Sequence, residues 1–385
     1  MRILITTDLF TTDTNGVVTS VKNLCDELQK KGHDVRILTL SENRYSRKEG
    51  NVIYIRSMPI GVYPDIRMPT SYRHNLIKEL VKWNPDVIHS QCELFSFQFA
   101  KYISQRTGAP IVHTYHTMYE EYISYVIPFE RLGKWLVRVL SQKRLKPVKT
   151  IIVPTHKVEN TLRGYAIDKT ICVIPSGVCL DQHKLRLTDD ERIEKRRALG
   201  ISDDYIILLN LGRLGTEKNL EELLRFYAKA VKENDKLSFL IVGDGPAKAE
   251  LEELSVILGI SDNVIFTGMV KPIEVQNYYQ LGDVFVSAST SETQGLTYIE
   301  AAANGLPLLC RQDECLQDVI LQGKNGYEYT TDSEFVSYLN AIAKDAEWRK
   351  YAGKRSEEIS KKFDKQTFGN SVESVYYSVI STQKF

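Results

Sequence analysis

The chain has 385 residues, of which 43% are apolar, and its 50 basic and 49 acidic residues give a formal net charge of +1. This length accommodates two hydrophobic cores, and the balanced charge excludes a global field that would attract nucleic acid. The six cysteines contain no C-x-x-C pair, which excludes a zinc-type spacing, and we expect them to be reduced. No apolar stretch approaches the roughly 20 residues that span a bilayer, so we expect a soluble or membrane-peripheral protein.

Strand and helix patterns alternate through the first half of the chain. The apolar run 2–7 predicts a buried parallel strand, residues 17–31 have helical periodicity, and 35–40 predicts the next strand. Further strands and helices are expected at 52–55, 72–83, 87–89, 96–107, 111–115 and 150–154. This alternation is typical of a parallel sheet that is covered by helices on both faces.

A charged stretch around residues 180–200 separates this alternation from a second one. The second alternation contains the apolar runs 205–212, 238–242, 264–267, 284–287 and 307–310. We therefore predict two doubly wound, Rossmann-like parallel-sheet domains over 1–185 and 186–364, facing each other across a cleft. A last helix within 365–385 is expected to rejoin the first domain. Such domains bind ligands outside the carboxyl ends of their strands, which places the expected site in the cleft.

Two carboxylates flank a predicted strand-to-helix turn late in the second domain. Glu292 precedes the turn, and Glu300 lies inside a helix that we expect to begin near Gly295. The first turn of a helix has backbone N–H groups without partners, and its dipole favours negative charge. The amides of Gln294, Gly295 and Leu296 are therefore suited to hold a diphosphate, while the carboxylates accept hydrogen bonds from sugar hydroxyls.

Two cations follow the first strand of the second domain. Arg213 and Lys218 stand five positions apart in a glycine-containing loop. Arginine offers phosphate oxygens a planar fork and lysine offers a point charge, so the pair is suited to neutralise a diphosphate leaving group. By themselves the two residues also fit solvated loop charges. The chain contains no Asp-x-Asp, the pattern by which many other transferases hold a divalent ion, and we predict that neither metal nor cofactor is required.

Several motifs extend this pattern: Gly212-Arg-Leu, Val242-Gly-Asp-Gly-Pro and Ser291-Glu-Thr-Gln-Gly-Leu. With the Glu292 and Glu300 pair, they resemble the retaining glycosyltransferases of family 4, which have the GT-B fold. The resemblance covers nearly the whole chain, and it extends to Asn15-Gly-Val near the start and to Ile174-Pro-Ser-Gly before the domain boundary.

The resemblance implies roles for the matching residues of the second domain. Arg213 and Lys218 would bind the diphosphate, Glu292 would contact a hydroxyl of the transferred sugar, and Glu300 would bind the nucleotide ribose. The backbone amides expected to meet the sugar and phosphates belong to Thr293, Gln294, Gly295 and Leu296.

In the first domain, the resemblance places Gly16 against the donor phosphates and His116 beside the reacting carbon of the donor sugar. A lone histidine is more often a structural residue, and we interpret His113 as one that points into the sheet. The strand-end position and the family match favour a functional His116. The side chains predicted to be catalytic are His116, Arg213, Lys218 and Glu292.

The segment Thr293-Gln294-Gly295 stands where many relatives have Gly-Phe-Gly, and it is similar to that of bacterial diacylglycerol glucosyltransferases. This similarity implies transfer of a hexose, α-glucose, from a UDP-sugar to a lipid such as diacylglycerol, with formation of an α-glycolipid. Other interpretations stay open: a soluble sugar, teichoic acid or polysaccharide as acceptor, a UDP-sugar epimerase, or a non-catalytic binding partner. The residues do not distinguish UDP from GDP, or glucose from galactose or mannose.

Residues 131–146 combine six cations with no acid. Apolar side chains recur at helical spacing at Leu132, Trp135, Leu136, Val139 and Leu140. A basic amphipathic helix with a tryptophan is typical of a membrane interface, although the pattern also fits a helix packed on the sheet with a solvated basic side. We expect an anionic surface, the inner face of the cell membrane, as the partner of a cytoplasmic, peripheral protein. The predicted contact residues are Arg131, Lys134, Trp135, Arg138, Lys143 and Arg144.

Overall fold

A computed structural model describes residues 1–11, 16–60, 67–120 and 129–382 and divides the chain into two compact units. The N-terminal unit comprises Met1–Gly177 and Lys365–Phe385, and the C-terminal unit comprises Val178–Asp364. The boundary thus lies between 177 and 178, whereas the sequence analysis placed it between 185 and 186. Backbone contacts explain the difference. The Gly177 carbonyl oxygen accepts a hydrogen bond from Asn23 Nδ2 at 2.7 Å, and Val178 N donates to the Phe363 carbonyl oxygen at 2.8 Å.

The N-terminal unit is built on a sheet of nine strands among the described residues, in the order β3-β4-β2-β1-β6-β7-β8-β9 with β5 beside β4. The strands are β1 Arg2–Thr6, β2 Asp34–Ser41, β3 Arg47–Glu49, β4 Val52–Pro59, β5 Arg67–Pro69, β6 Val87–Ser90, β7 Ile111–Thr114, β8 Thr150–Val153 and β9 Thr170–Val173. Strands β3 and β5 run antiparallel to β4, and the other pairs are parallel. Strands β6, β7 and β8 are buried at every position, as expected for parallel strands that are covered on both faces.

Helices pack on this sheet and cover its core. They are α1 Gly16–Lys30, α2 Asn75–Trp83, α3 Ser96–Thr107, α4 Glu130–Leu145, α5 His156–Gly164 and the C-terminal α13 Lys365–Ser381. Helix α13 shares a core cluster with α1, in which Val372 and Tyr376 pack with Val21 and Leu24. The chain therefore returns to its first unit at its end, and the last helix completes the core of that unit.

The C-terminal unit has a six-stranded parallel sheet in the order β12-β11-β10-β13-β14-β15. Its strands are β10 Ile206–Leu211, β11 Leu237–Val242, β12 Val264–Phe266, β13 Val284–Ser287, β14 Leu308–Arg311 and β15 Gly326–Tyr329. Its helices are α6 Asp189–Ala198, α7 Leu220–Glu233, α8 Lys248–Ile257, α9 Pro272–Leu281, α10 Leu296–Ala303, α11 Asp332–Lys344 and α12 Ala346–Ser360. Two core clusters, one on each face, bury this sheet. The predicted pair of parallel-sheet α/β domains is confirmed.

Within the part of the chain that the structure describes, no helix has both the length and the apolar character needed to cross a bilayer.

Candidate active site

The glycine loop that follows β10 is locked against the loop that follows β11. Leu214 N donates to the Asp244 carbonyl oxygen at 2.9 Å. A Cβ at Gly243, whose φ is +135°, would overlap the carbonyl oxygen of Gly212, and a Cβ at Gly245 would overlap that of Leu214. Side chains are thus excluded at both positions, and the loop that carries the predicted cations has a fixed path at the carboxyl end of the sheet.

Both predicted diphosphate-binding cations are paired with carboxylates. Arg213 lies 2.6 Å from Glu217 Oε1, and Lys218 Nζ contacts Glu292 Oε1. Ser289 Oγ donates to the same Glu292 oxygen at 3.1 Å. The structure therefore brings Lys218 and Glu292 together although they are 74 positions apart in the chain. It places Arg213 against Glu217 in the same loop.

Helix α10 begins next to Glu292. Gly295, with a φ of +74°, precedes the first helical residue, Leu296. A Cβ at Gly295 would overlap the ring of Tyr298, whose hydroxyl lies 3.0 Å from Ser287 Oγ. Only glycine therefore fits this turn, and the helix begins where the sequence predicted it. The N–H of Leu296 belongs to the first turn, and Thr293 and Gln294 lie in the loop before it.

Glu300 lies inside α10 and accepts a hydrogen bond from the hydroxyl of Tyr279 at 2.7 Å. Burial raises the pKa of Glu300 to about 7, although the Tyr279 hydrogen bond opposes the shift. The group is therefore divided between its acid and carboxylate forms near neutral pH. A ligand that offers hydroxyl donors to Glu300 favours the carboxylate.

His116 follows β7 in the N-terminal unit, and its Nε2 lies 2.7 Å from Gln91 Oε1. Burial lowers the pKa of His116 to about 4; Glu93 opposes this shift and His113 adds to it. The His116 ring is therefore neutral at physiological pH. His113 is fully buried, with its Nε2 3.0 Å from Glu93 Oε1, and the other oxygen of Glu93 accepts from the Tyr119 hydroxyl at 2.5 Å.

Gly16 is exposed and is the first residue of α1, while Asn15 of the same motif lies outside the described residues. Helix α1 holds the segment at the end of the unit: Ser20 Oγ donates to Ser176 Oγ at 2.9 Å. The two motifs that the sequence analysis found in the first domain therefore pack against each other.

Helix α4 turns the apolar stripe of the sequence pattern outward. Its buried side chains and backbone belong to another face, made of Gly133, Val137, Ser141 and Leu145. The exposed fractions in the stripe are 51% for Leu132, 58% for Trp135, 36% for Val139 and 46% for Leu140. The cations exposed with them are Arg131, Lys134, Arg138 and Lys143, and Arg144 is half-buried. Leu136, the fifth member of the stripe, is half-buried. The exposure of the other four does not fit a stripe that is packed on the sheet.

Some residues that contact the predicted site were not identified from the sequence. Gln91, Glu93, Ser289 and Tyr279 are polar side chains that touch His116, His113, Glu292 and Glu300, respectively. Gln91 and Glu93 come just after a predicted strand, so the carboxyl-end rule would have singled them out. The same rule applies to Ser289, two positions after the predicted strand 284–287, whereas Tyr279 carries no comparable signal. Among the described residues, no group of three or more His, Cys, Asp or Glu could hold a metal ion.

Comparison with known proteins agrees with this architecture. Residues 14–182 match the model of Glycosyltransferase Family 4, and residues 191–359 match that of Glycosyl transferases group 1. The alpha-monoglucosyldiacylglycerol synthase of Streptococcus pneumoniae is 33% identical over 100% of this chain and 87% of its own length. The alpha-monoglucosyldiacylglycerol synthase of Acholeplasma laidlawii is 30% identical over 99% of this chain and 98% of its own length. The chain thus belongs to the family 4 glycosyltransferases.

A solved structure shows the same fold. The Anabaena protein Alr3699/HepE in complex with UDP-glucose matches with a TM-score of 0.76 at 15% identity, over 98% of this chain and 100% of that one. The predicted GT-B-type architecture is therefore confirmed. The family models and the two relatives confirm the predicted enzyme class, a glycosyltransferase.

Proposed function

We propose that the enzyme transfers glucose from UDP-glucose to diacylglycerol and forms α-monoglucosyldiacylglycerol at the inner face of the cell membrane. The observation that carries this proposal is the Lys218–Glu292 contact beside the amino end of α10, in a chain similar over its length to two alpha-monoglucosyldiacylglycerol synthases. The UDP-glucose complex of a protein with the same fold supports the choice of donor.

The site residues support a reaction that depends on positioning and on charge. Lys218 and Arg213 neutralise the diphosphate as the bond between it and the sugar C1 breaks. The acceptor hydroxyl attacks C1 from the same face, a new C1–O bond forms, and the hydroxyl proton passes to the departing diphosphate. Glu292 orients a sugar hydroxyl and Glu300 the ribose. Neither a side-chain base nor a metal ion is required in this scheme.

A donor-by-acceptor screen tests the proposal. Purified protein is incubated with UDP-glucose, UDP-galactose or GDP-mannose and with vesicles that contain diacylglycerol, and lipid products are read by mass spectrometry. We expect a monohexosyl lipid from UDP-glucose. Replacing Lys218 with alanine should lower kcat by about 100- to 1000-fold, because a donor to the developing charge is lost.

The matched control is Lys229→Ala, since Lys229 pairs with Asp332 on the exposed surface of the same unit. A surface pair of this kind contributes little, and activity should stay within about twofold. Full activity of Lys218→Ala on the confirmed acceptor would contradict the site. Transfer to soluble sugars in the absence of vesicles would contradict the lipid acceptor.

We further propose that α4 binds the anionic membrane surface. Its exposed stripe of Leu132, Trp135, Val139 and Leu140 is flanked by cations, which supports insertion of the apolar side chains between lipid headgroups. An open depression beside the stripe is lined by side chains of α4 and by nearby residues: Glu120, Lys134, Trp135, Arg138, Thr161 and Tyr165. Burying a tryptophan and several aliphatic side chains adds a non-electrostatic contribution that salt does not screen.

Flotation with anionic vesicles tests this membrane contact. Reversing the charges of Lys134, Arg138, Lys143 and Arg144 to Glu should weaken binding by at least about 1000-fold, because each cation contributes about 1 kcal/mol near an anionic surface and the glutamates add repulsion. The control reverses as many exposed lysines in the C-terminal unit: Lys232, Lys344, Lys350 and Lys354. Equal loss of binding in both variants, or none in the α4 variant, would contradict the assignment.

A further inference from the structure

Gln91 and His116 follow neighbouring parallel strands. Strands β6 and β7 pair in a register that puts Ser90 opposite His113, so the residues beyond both strands meet at one edge of the sheet. The backbone of Gln91 is fixed independently of its side chain, because its N–H donates to the Thr6 carbonyl oxygen at 2.8 Å. Its side chain is 2% exposed and places Oε1 2.7 Å from His116 Nε2.

The Gln91 side chain is not an optimal choice for stability. Its amide nitrogen is buried and has no hydrogen-bond partner among the described residues. A buried donor without a partner costs about 1 to 3 kcal/mol, which offsets what the hydrogen bond to His116 contributes to stability. What the amide contributes is its hydrogen bond to His116.

The chemistry of that hydrogen bond defines the state of the imidazole. An amide oxygen only accepts, so the bond requires the proton of a neutral His116 to be on Nε2 and leaves Nδ1 unprotonated. A carboxylate partner would favour the imidazolium because of its negative charge. The amide of Gln91 carries no charge and lacks this effect. The neighbouring His113 differs in this respect, because its partner is the carboxylate of Glu93.

We propose that Gln91 is the positioning residue of His116: its amide oxygen fixes the plane of the ring and holds it as the neutral Nε2–H tautomer. The inference rests on the proposed function, in which His116 lies beside the reacting carbon of the donor sugar. A ring held neutral in one orientation presents the same face to the sugar in every turnover. A ring that rotates or becomes cationic does not.

Replacing Gln91 with methionine separates positioning from stability. The side chain keeps its length and loses both the hydrogen bond and the unpaired donor. We expect a nearly unchanged unfolding temperature, because removal of the unpaired donor offsets the loss of the His116 hydrogen bond. The kcat should be lower by about 10- to 100-fold, since a misplaced group costs turnover. The donor KM should change much less. A lower unfolding temperature with unchanged kcat would instead assign Gln91 a structural role.

Replacing Gln91 with glutamate tests whether an uncharged hydrogen-bond partner is needed to keep His116 neutral. The titratable groups that act on His116 include Glu93, His113 and His89. An added carboxylate at hydrogen-bonding distance favours the imidazolium and raises the pKa of His116, so the acidic limb of kcat should move to higher pH. The matched control is Gln105→Glu on the exposed side of α3, which should leave that limb unmoved. An unmoved limb in Gln91→Glu would overturn the proposal.

Nitrogen-15 NMR of the labelled full-length protein reads the tautomer without an activity assay. We expect a proton on Nε2 of His116 in the parent protein and a mixture of tautomers in Gln91→Met. A proton on Nδ1 in the parent would overturn the inference, because the amide nitrogen would then face the ring. Full activity of His116→Ala would refute the role of His116 in the proposed function and would leave the NMR result standing.

Discussion

Glu292 receives hydrogen bonds from Lys218 and Ser289 on one of its oxygens. These residues come from loops after β10 and β13, which are adjacent in the sheet, with Leu208 opposite Val284. The spacing of the carboxylates and the strand-end position of the cations led us to predict these residues for the site, and the structure brings two of them, Lys218 and Glu292, into contact. Their partners were not predictable, because a contact across 74 positions depends on the order and register of strands that local sequence does not specify.

We expect Glu300 to give donor binding a pH dependence. Because its pKa is raised to about 7, we expect the KM for the donor to fall as pH rises through that value and the carboxylate becomes able to accept from ribose hydroxyls. The same shift makes its contribution to folding stability decrease as pH rises from about 4.5 to about 7, since in this range the folded state holds a proton that the unfolded state has released. Initial rates measured at several pH values provide the test.

Two variants separate Glu300 from other titrating groups. In Glu300→Gln, the donor KM should be higher and should no longer depend on pH in this range. In Glu253→Gln, an exposed residue of α8, the pH dependence of the parent protein should persist. A donor KM of the parent protein that is constant from about pH 6 to 8 would contradict the assignment of Glu300 to the ribose.

At the scale of single elements, the start of α10 was predictable and the orientation of α4 was not. Gly295 indicates the start of α10, because glycine readily adopts the positive φ of the turn that precedes this helix. Helix α4 has two candidate inner faces. The one that is buried includes Gly133 and Ser141, which do not register as apolar in a periodicity analysis. Burial of small residues therefore leaves the larger Trp135 and Leu132 outside.

We expect different effects when alanine replaces Gly295, in the turn before α10, and Gly259, after α8. Gly259, with a φ of +70°, has open space around its Cβ position, whereas the Cβ position of Gly295 overlaps the Tyr298 ring. Alanine at Gly259 should cost about 1 kcal/mol of unfolding free energy from backbone strain alone. Alanine at Gly295 should cost more and should also weaken donor binding. Thermal unfolding and calorimetric titration with UDP measure both effects, and equal behaviour of the two variants would contradict the role of this turn.

For the whole molecule, the alternation of strands and helices predicted two α/β domains, but the boundary was placed too late. The charged stretch that suggested it forms α6, where Arg196 bonds to Asp283 at 2.8 Å within the C-terminal unit. A charged stretch is thus a poor indicator of a domain boundary when its side chains form ion pairs inside one domain. The chain passes from the first unit to the second between Gly177, which bonds to Asn23 of the N-terminal unit, and Val178, which bonds to Phe363 of the C-terminal unit.

A buried hydrogen bond of the C-terminal helix α13 is expected to stabilise the N-terminal unit. The Tyr376 hydroxyl lies 2.6 Å from His89 Nδ1 in the buried core. Tyr376→Phe leaves a buried ring nitrogen without that partner, and the free energy of unfolding of this unit should fall by about 1 to 3 kcal/mol. Tyr377→Phe, at a side chain that is 54% exposed, should have little effect. Hydrogen exchange at β6 reports the difference, and equal protection in both variants would contradict the coupling.

The most direct test of the proposed function is the anomeric configuration of the lipid product. Protein, UDP-glucose and diacylglycerol vesicles are incubated with excess EDTA, and the purified glycolipid is examined by proton NMR. We expect an α-linked glucosyl diacylglycerol that forms without a divalent metal. A β-linked product, a product that forms only when metal is restored, or glucose transferred to a soluble acceptor and not to the lipid would contradict it.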